Sequence, residues 1–176
     1  MKSLTKPEIG RLLVRIDNAR DMLLIQMGLV LGCRVSEITS IRLKNIHPDR
    51  LVLWDEKKNT FRECVLDQET RGQLEDYLRS DWRPKPHRPH QLFYMSPKTV
   101  NRIVKRWFAA AAITAEKAHW HTLRHTYIVQ SLEAGVPLNH IIEQTGDSPA
   151  TILKVYGCPG IDSRRAMINE RGRYWK

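Results

Sequence analysis

Cysteine is scarce in this sequence: Cys33, Cys64 and Cys158 are three in number, widely spaced and without a C-x-x-C pair. That pattern indicates neither a disulfide framework nor a zinc knuckle, and reads as free, mostly buried thiols. Long apolar runs are missing too. The longest, 22–33, is broken by Gln26 and two glycines and falls short of the roughly 18 residues of a spanning helix. No apolar stretch follows Met1-Lys2-Ser3-Leu4-Thr5-Lys6-Pro7, as a signal peptide requires, so the chain is expected to stay in the cytoplasm. Internal repeats and low-complexity tracts are absent. Acidic residues are in deficit, 19 against 29 Lys and Arg, and the formal net charge of +10 points to a polyanionic partner, nucleic acid before membrane surface. Among seven histidines, His121 and His125 stand one helical turn apart, but with no acidic or Cys ligand nearby they read as a helix start and not a metal site.

What is present reads mainly as helix. Thr5 and Glu8 form a capping-box pattern with Pro7 in the first turn, and Ile9, Leu12, Leu13 and Ile16 share one face. A second helix, apolar on most sides and so central, runs from about Arg20 to Leu31 and stops at Gly32. Arg34-Val35-Ser36-Glu37-Ile38 opens a short helix with a charged residue at its start. The stretch 51–65 reads as a β-hairpin with Lys57 and Lys58 at its tip. Asp67 caps a helix to about Leu78, and 83–89, rich in proline, reads as an extended surface loop tolerant of cutting or insertion. Ser96-Pro97 begins a helix with a basic stripe of Lys98, Arg102, Lys105 and Arg106 opposite a core side of Val100, Ile103, Val104 and Trp107. The run 109–112 reads as tight helix packing. A helix from His121 ends at Gly135, another runs from Pro137 to near Gly146, and Ser148-Pro149 begins a short helix carrying Tyr156.

Transesterification at a phosphodiester needs a nucleophile, positive donors on the non-bridging oxygens and an acid for the leaving oxygen. Gly32-Cys33-Arg34-Val35-Ser36-Glu37-Ile38, a hairpin lysine, His121-Thr122-Leu123-Arg124-His125, Thr145-Gly146-Asp147-Ser148 and Val155-Tyr156 follow one another in the order and approximate spacing of the tyrosine recombinase family, which the chain resembles over nearly its whole length. The resemblance implies that Arg34 and Arg124 clamp the scissile phosphate, a task suited to a planar, permanently charged fork. It further implies that Lys57, with Lys58 as the adjacent alternative, protonates the leaving 5′-oxygen, that His121 assists proton movement, and that Tyr156 is the nucleophile. His125 reads as structural. A phenol with pKa near 10 attacks only when charge or a base activates it, so Tyr156 alone would read as a packed residue.

Asp147 departs from the pattern, since most of the family carries His or Trp there. A carboxylate near a phosphodiester is repelled by about 4 kcal/mol at about 4 Å and an effective dielectric of about 20. It can cap the Ser148-Pro149 helix, pair with Arg124 or His121, or mark reduced activity, and the first reading is preferred.

The implied architecture is mainly α with a small antiparallel β-sheet, a single catalytic domain over 1–176. The segment 157–176 is expected to be a tail that docks on a neighbouring protomer or folds back on its own domain. The N-terminal core-binding domain of most family members is absent, which suggests either a fragment or a naturally minimal recombinase, and the start at Met1 suggests a complete gene. No metal and no cofactor are expected. The implied partners are double-stranded DNA at a specific site, copies of the chain in a tetramer of two dimers, and accessory DNA-binding proteins, at the nucleoid. Lys58, Lys98, Arg102, Lys105 and Arg106 are the candidate DNA contacts. Three rivals are a catalytically weakened DNA-binding regulator of the same fold, a type IB topoisomerase, and a helix-turn-helix regulator, which would leave Arg34 and the hairpin unexplained.

Overall fold

The computed structural model describes residues 3–56, 58–80, 90–156 and 168–169, without the side chains of Val155 and Tyr156. Backbone contacts divide the chain into a unit spanning Met1–Gly146 and a second spanning Asp147–Lys176. The first holds α1 (Lys6–Arg15), α2 (Ala19–Leu31), α3 (Val35–Ser40), the hairpin β1 (Leu51–Asp55) and β2 (Thr60–Cys64), α4 (Gln68–Arg79), α5 (Pro97–Ala110), α6 (Trp120–Glu133) and α7 (Leu138–Thr145). The second holds α8 (Pro149–Tyr156). Among the described residues no helix is long and apolar enough to cross a membrane.

Local chemistry fixes most boundaries. Thr5 caps α1 while Glu8 returns a carboxylate to the Thr5 N–H at 2.8 Å. Asp67 and Ser96 cap α4 and α5 through the N–H groups of Thr70 and Thr99. The apolar α2 is the central element, burying Leu23, Leu24, Ile25, Met27 and Leu31 and packing on α4 and α6. The hairpin pairs antiparallel with Leu51 opposite Cys64, Leu53 opposite Arg62 and Trp54 opposite Phe61. Strand alternation turns Leu51, Leu53, Asp55 and Cys64 inward.

On α5 the two expected faces are separate: Val100, Ile103, Val104, Trp107 and Phe108 are buried, and Lys98, Arg102, Lys105 and Arg106 are exposed. Arg106 differs from the other three. It donates to the fully buried Asp21 at 2.6 Å and lies 4.5 Å over the Trp107 ring, whose indole N–H reaches the same carboxylate at 2.8 Å. Burial pushes the Asp21 carboxyl up, but hydrogen bonds from Trp107, Arg20 and Asn18 outweigh it and hold the group below the ordinary carboxylate range. The alanine run departs from its reading as tight helix packing. Helix α5 ends at Ala110, Ala109 and Ala110 are exposed, and Ala112 turns the chain with φ of 53°. Small side chains there let the backbone reverse direction. The expected 83–89 loop and all of the 157–176 tail but Ile168 and Asn169 lie outside the described residues.

Candidate active site

Two helices of the first unit end in left-handed glycines, α2 at Gly32 (φ 54°) and α7 at Gly146 (φ 72°). Such ends leave carbonyls unpaired and carry partial negative charge. Arg124, buried on α6, answers both: its Nη1 donates to the Gly32 carbonyl at 2.6 Å and to the Thr145 carbonyl at 3.0 Å. The Trp120 indole donates to the next carbonyl, Cys33, at 2.8 Å. The Arg34 N–H is taken by Glu37 at 2.6 Å. The turn 32–34 is therefore pinned residue by residue, and it places Arg34 at the start of α3 beside the anchor of Arg124.

The inner face of the hairpin completes the cluster. Arg34 Nη1 donates to Glu37 at 3.0 Å and to Asp55, at the end of β1, at 3.3 Å. From β2, Arg62 donates to the other oxygen of Glu37 at 2.7 Å and to the main-chain carbonyl of Gln144 near the end of α7. The Gln144 side chain in turn bonds both main-chain groups of Val65, at 3.0 and 2.7 Å, like an added strand partner. Gly146 sits where a Cβ would come within 2.8 Å of Arg62 Nε and 2.9 Å of an Asp55 carboxylate oxygen. Three guanidiniums and two carboxylates, Glu37 and Asp55, thus meet at one place. By formal charge the cluster is net positive. Burial pushes the Cys64 thiol up to about 11, against the pull of the Arg62 charge, and pushes Cys33 up as well. Both thiols are free and buried.

The structure places Arg34 two residues after the Gly32 carbonyl that Arg124 holds. His121 is exposed on the first turn of α6, one turn before Arg124, and His125 is buried. Lys57 lies outside the described residues. Lys58 is exposed, with its main-chain N–H on Asp55 at 3.3 Å. In the second unit α8 ends at Tyr156, whose side chain lies outside the described part. Asp147 does not supply the cap expected of it. The Ser148 hydroxyl accepts the Thr151 N–H at 3.1 Å and also meets the Thr151 hydroxyl at 2.8 Å, because the cap position falls directly before Pro149 and Ser148 occupies it. Among the described residues no group of three His, Cys, Asp or Glu is placed to hold a metal ion.

Sequence reasoning passed over Glu37, Asp55, Arg62 and Gln144 as site residues. One signal was available for Arg62, which alternates in register with Cys64 on the face a hairpin buries, where a charge needs a partner.

The fold has structural counterparts. The crystal structure of XerA recombinase superposes with a TM-score of 0.80 at 19% identity, over 97% of this chain and 65% of that one. XerH site-specific recombinase, bound to its difH substrate in a pre-cleavage complex, gives 0.79 at 17% identity, over 100% of this chain and 55% of that one. The fold is that of the tyrosine recombinase catalytic domain, mainly helical with a two-stranded antiparallel sheet. In sequence, the tyrosine recombinase XerA of Pyrococcus furiosus is 29% identical over 164 residues, covering 88% of this chain and 56% of that protein. The model of the phage integrase family matches residues 2–157, and the chain belongs to that family. It spans little more than half the length of such relatives.

Proposed function

We propose that the chain is the catalytic part of a tyrosine site-specific recombinase, which cuts and rejoins double-stranded DNA through a 3′-phosphotyrosyl intermediate. The observation that carries this reading is the common anchor of Arg34 and Arg124: one guanidinium is bonded to the carbonyl of Gly32 and the other belongs to the residue two positions on. The Arg124 fork is held by that turn and the Arg34 fork, which starts from it, by Glu37 and Asp55; two such forks suit the two non-bridging oxygens of a phosphate, and their pre-set positions spare reorganisation as charge develops in the transition state. In this reading the Tyr156 phenol loses its proton and attacks phosphorus, with His121 assisting. The bond to the 5′-oxygen breaks, and Lys57, or its neighbour Lys58, protonates that oxygen. A 5′-hydroxyl from a partner duplex then attacks the phosphotyrosine and restores both phosphodiester and phenol, so no external energy is consumed. Exchange between two sites, each cut on both strands, calls for four copies of the chain, and accessory DNA-binding proteins would select the outcome. Asp147 stands in this scheme as a supporting residue.

The test is covalent capture. Duplexes with a randomised core and a nick that lets the cleaved fragment diffuse away are incubated with the protein, denatured, and the attached DNA is sequenced. A 3′ adduct on Tyr156, abolished in Tyr156→Phe, is the expected result. DNA retained under native conditions with no adduct, even in Asp147→His, would instead make the chain a DNA-binding regulator of the same fold.

A further inference from the structure

The hairpin has a second face that the arginine cluster does not use. Trp54 and Phe61, paired across the strands, point away from it, with their rings meeting edge to face at 4.8 Å. Even so, 36% of Trp54 and 62% of Phe61 remains in solvent. They wall a cleft of about 500 Å³ that also includes Arg42, Lys44, Asn45 and Val52. Arg42 and Lys44 are exposed, and neither joins an ion pair among the described residues. Exposed aromatic pairs are costly to leave in water, and a contiguous patch of this kind marks a binding surface.

We infer that this cleft binds single-stranded DNA, with an unpaired base against Trp54 and Phe61 and its flanking phosphates on Arg42 and Lys44. A base within a duplex has both faces covered by its neighbours, so only an unstacked base can offer a flat surface to the rings. The two cations can take an anion within a few ångströms of that surface, and each nucleotide supplies one. An acidic peptide would satisfy the cations and leave the rings without a stacking partner. The chain's own C-terminal segment is a poor occupant, since 161–176 carries Arg164, Arg165, Arg171, Arg173 and Lys176 against Asp162 and Glu170 and would be repelled by the same cations. The source of such a strand rests on the proposed recombinase reading: cleavage frees a 5′-hydroxyl end whose bases must unpair before they are exchanged.

Binding of a labelled oligothymidylate of about a dozen nucleotides, followed by anisotropy beside a duplex of equal length, tests the assignment. The double variant Trp54→Ala, Phe61→Ala is expected to weaken the single strand about tenfold and the duplex less than about twofold. Arg42→Gln with Lys44→Gln should weaken the single strand comparably and lower its salt dependence. Phe61→Ser alone, at the more exposed ring, guards against a folding defect and should show the same preference in smaller degree. Equal losses for both DNAs, or an unchanged single-strand affinity, would overturn the inference. Unchanged affinity with lost self-association in sedimentation would assign the face to a second copy of the chain instead. No recombination site is needed, so failure here leaves the covalent-capture test standing, and failure of that test leaves this one.

Discussion

Glu37 ties the two arginines beside it together. Its carboxylate is 1% exposed and accepts from the Arg34 main chain, the Arg34 side chain and Arg62. Removing one partner of a buried pair costs about 3–5 kcal/mol, because the survivor stays desolvated. Arg62→Met is therefore expected to lower stability by about 3 kcal/mol in urea unfolding, since it strips Glu37 of a bond and leaves the Gln144 carbonyl to the weak Cys64 thiol donor at 3.4 Å. Arg34→Ala, at a side chain 27% exposed, should cost clearly less while removing a proposed phosphate donor. The reverse ranking would mean that the cluster is held from the Arg34 side. The thiols report on the same interior. Cys64 is raised to about 11 and Cys33 is raised too, whereas an unfolded thiol ionises near about 8.5. Between those values the unfolded chain gives up protons that the folded chain keeps, so stability falls as pH rises, by up to about 1.4 kcal/mol per thiol per pH unit. Unfolding at pH 8 and pH 10 should show a steeper loss in the parent than in a Cys33→Ala, Cys64→Ala variant, and equal losses would contradict the burial of these groups.

At the scale of elements, the site is made by the ends of helices. Gly32 and Gly146 let α2 and α7 stop in left-handed turns where Arg124 and Arg62 collect the last carbonyls. Gly135 also has a positive φ, 75°, but nothing lies near where its Cβ would stand. Gly135→Ala is expected to cost about 1 kcal/mol, the backbone strain alone. Gly146→Ala and Gly32→Ala should cost at least about 2 kcal/mol, since the added Cβ would meet Arg62 and Asp55 in one case and the Tyr127 ring at 2.6 Å in the other. Equal costs at all three would mean that the close approaches relax freely. These ends were legible in the sequence, as were the Thr5, Asp67 and Ser96 caps and the hairpin, because caps and turns are local chemistry. Two local readings missed. The cap of α8 is Ser148 and not Asp147, a shift of one residue among competing side chains, and the alanine run ends a helix because small residues serve a reversal as well as a tight contact. The partnership of Glu37 with Arg62 was not legible at all: the two stand 25 positions apart, and nothing local to either chooses the other. The approach of Arg34 to Arg124 was signalled only by the order of motifs, with the physical cause, two helix ends sharing one guanidinium, visible only in three dimensions.

For the molecule as a whole, the excess of ten positive charges guarantees attraction to a polyanion but does not say which cations touch it. The α5 stripe separates the possibilities. Lys98, Arg102 and Lys105 are exposed, whereas Arg106 is committed to Asp21 and Trp107, so its replacement would confuse binding with stability. Each phosphate contact contributes about 0.9 to the slope of log affinity against log salt on duplex DNA. If the stripe follows the backbone, the triple variant Lys98→Gln, Arg102→Gln, Lys105→Gln should reduce that slope by about 2 to 3 with the melting temperature almost unchanged, since exposed substitutions of this kind alter stability by less than about 0.5 kcal/mol each. A solvated face that never meets DNA would keep the parent slope and lose only a small, uniform long-range attraction. Titrations from low to moderate salt with a duplex of arbitrary sequence distinguish the two, because phosphate contacts are sequence-independent. A reduced slope would put α5 on the DNA, and an unchanged one would leave the hairpin and the arginine cluster as the surface that binds it.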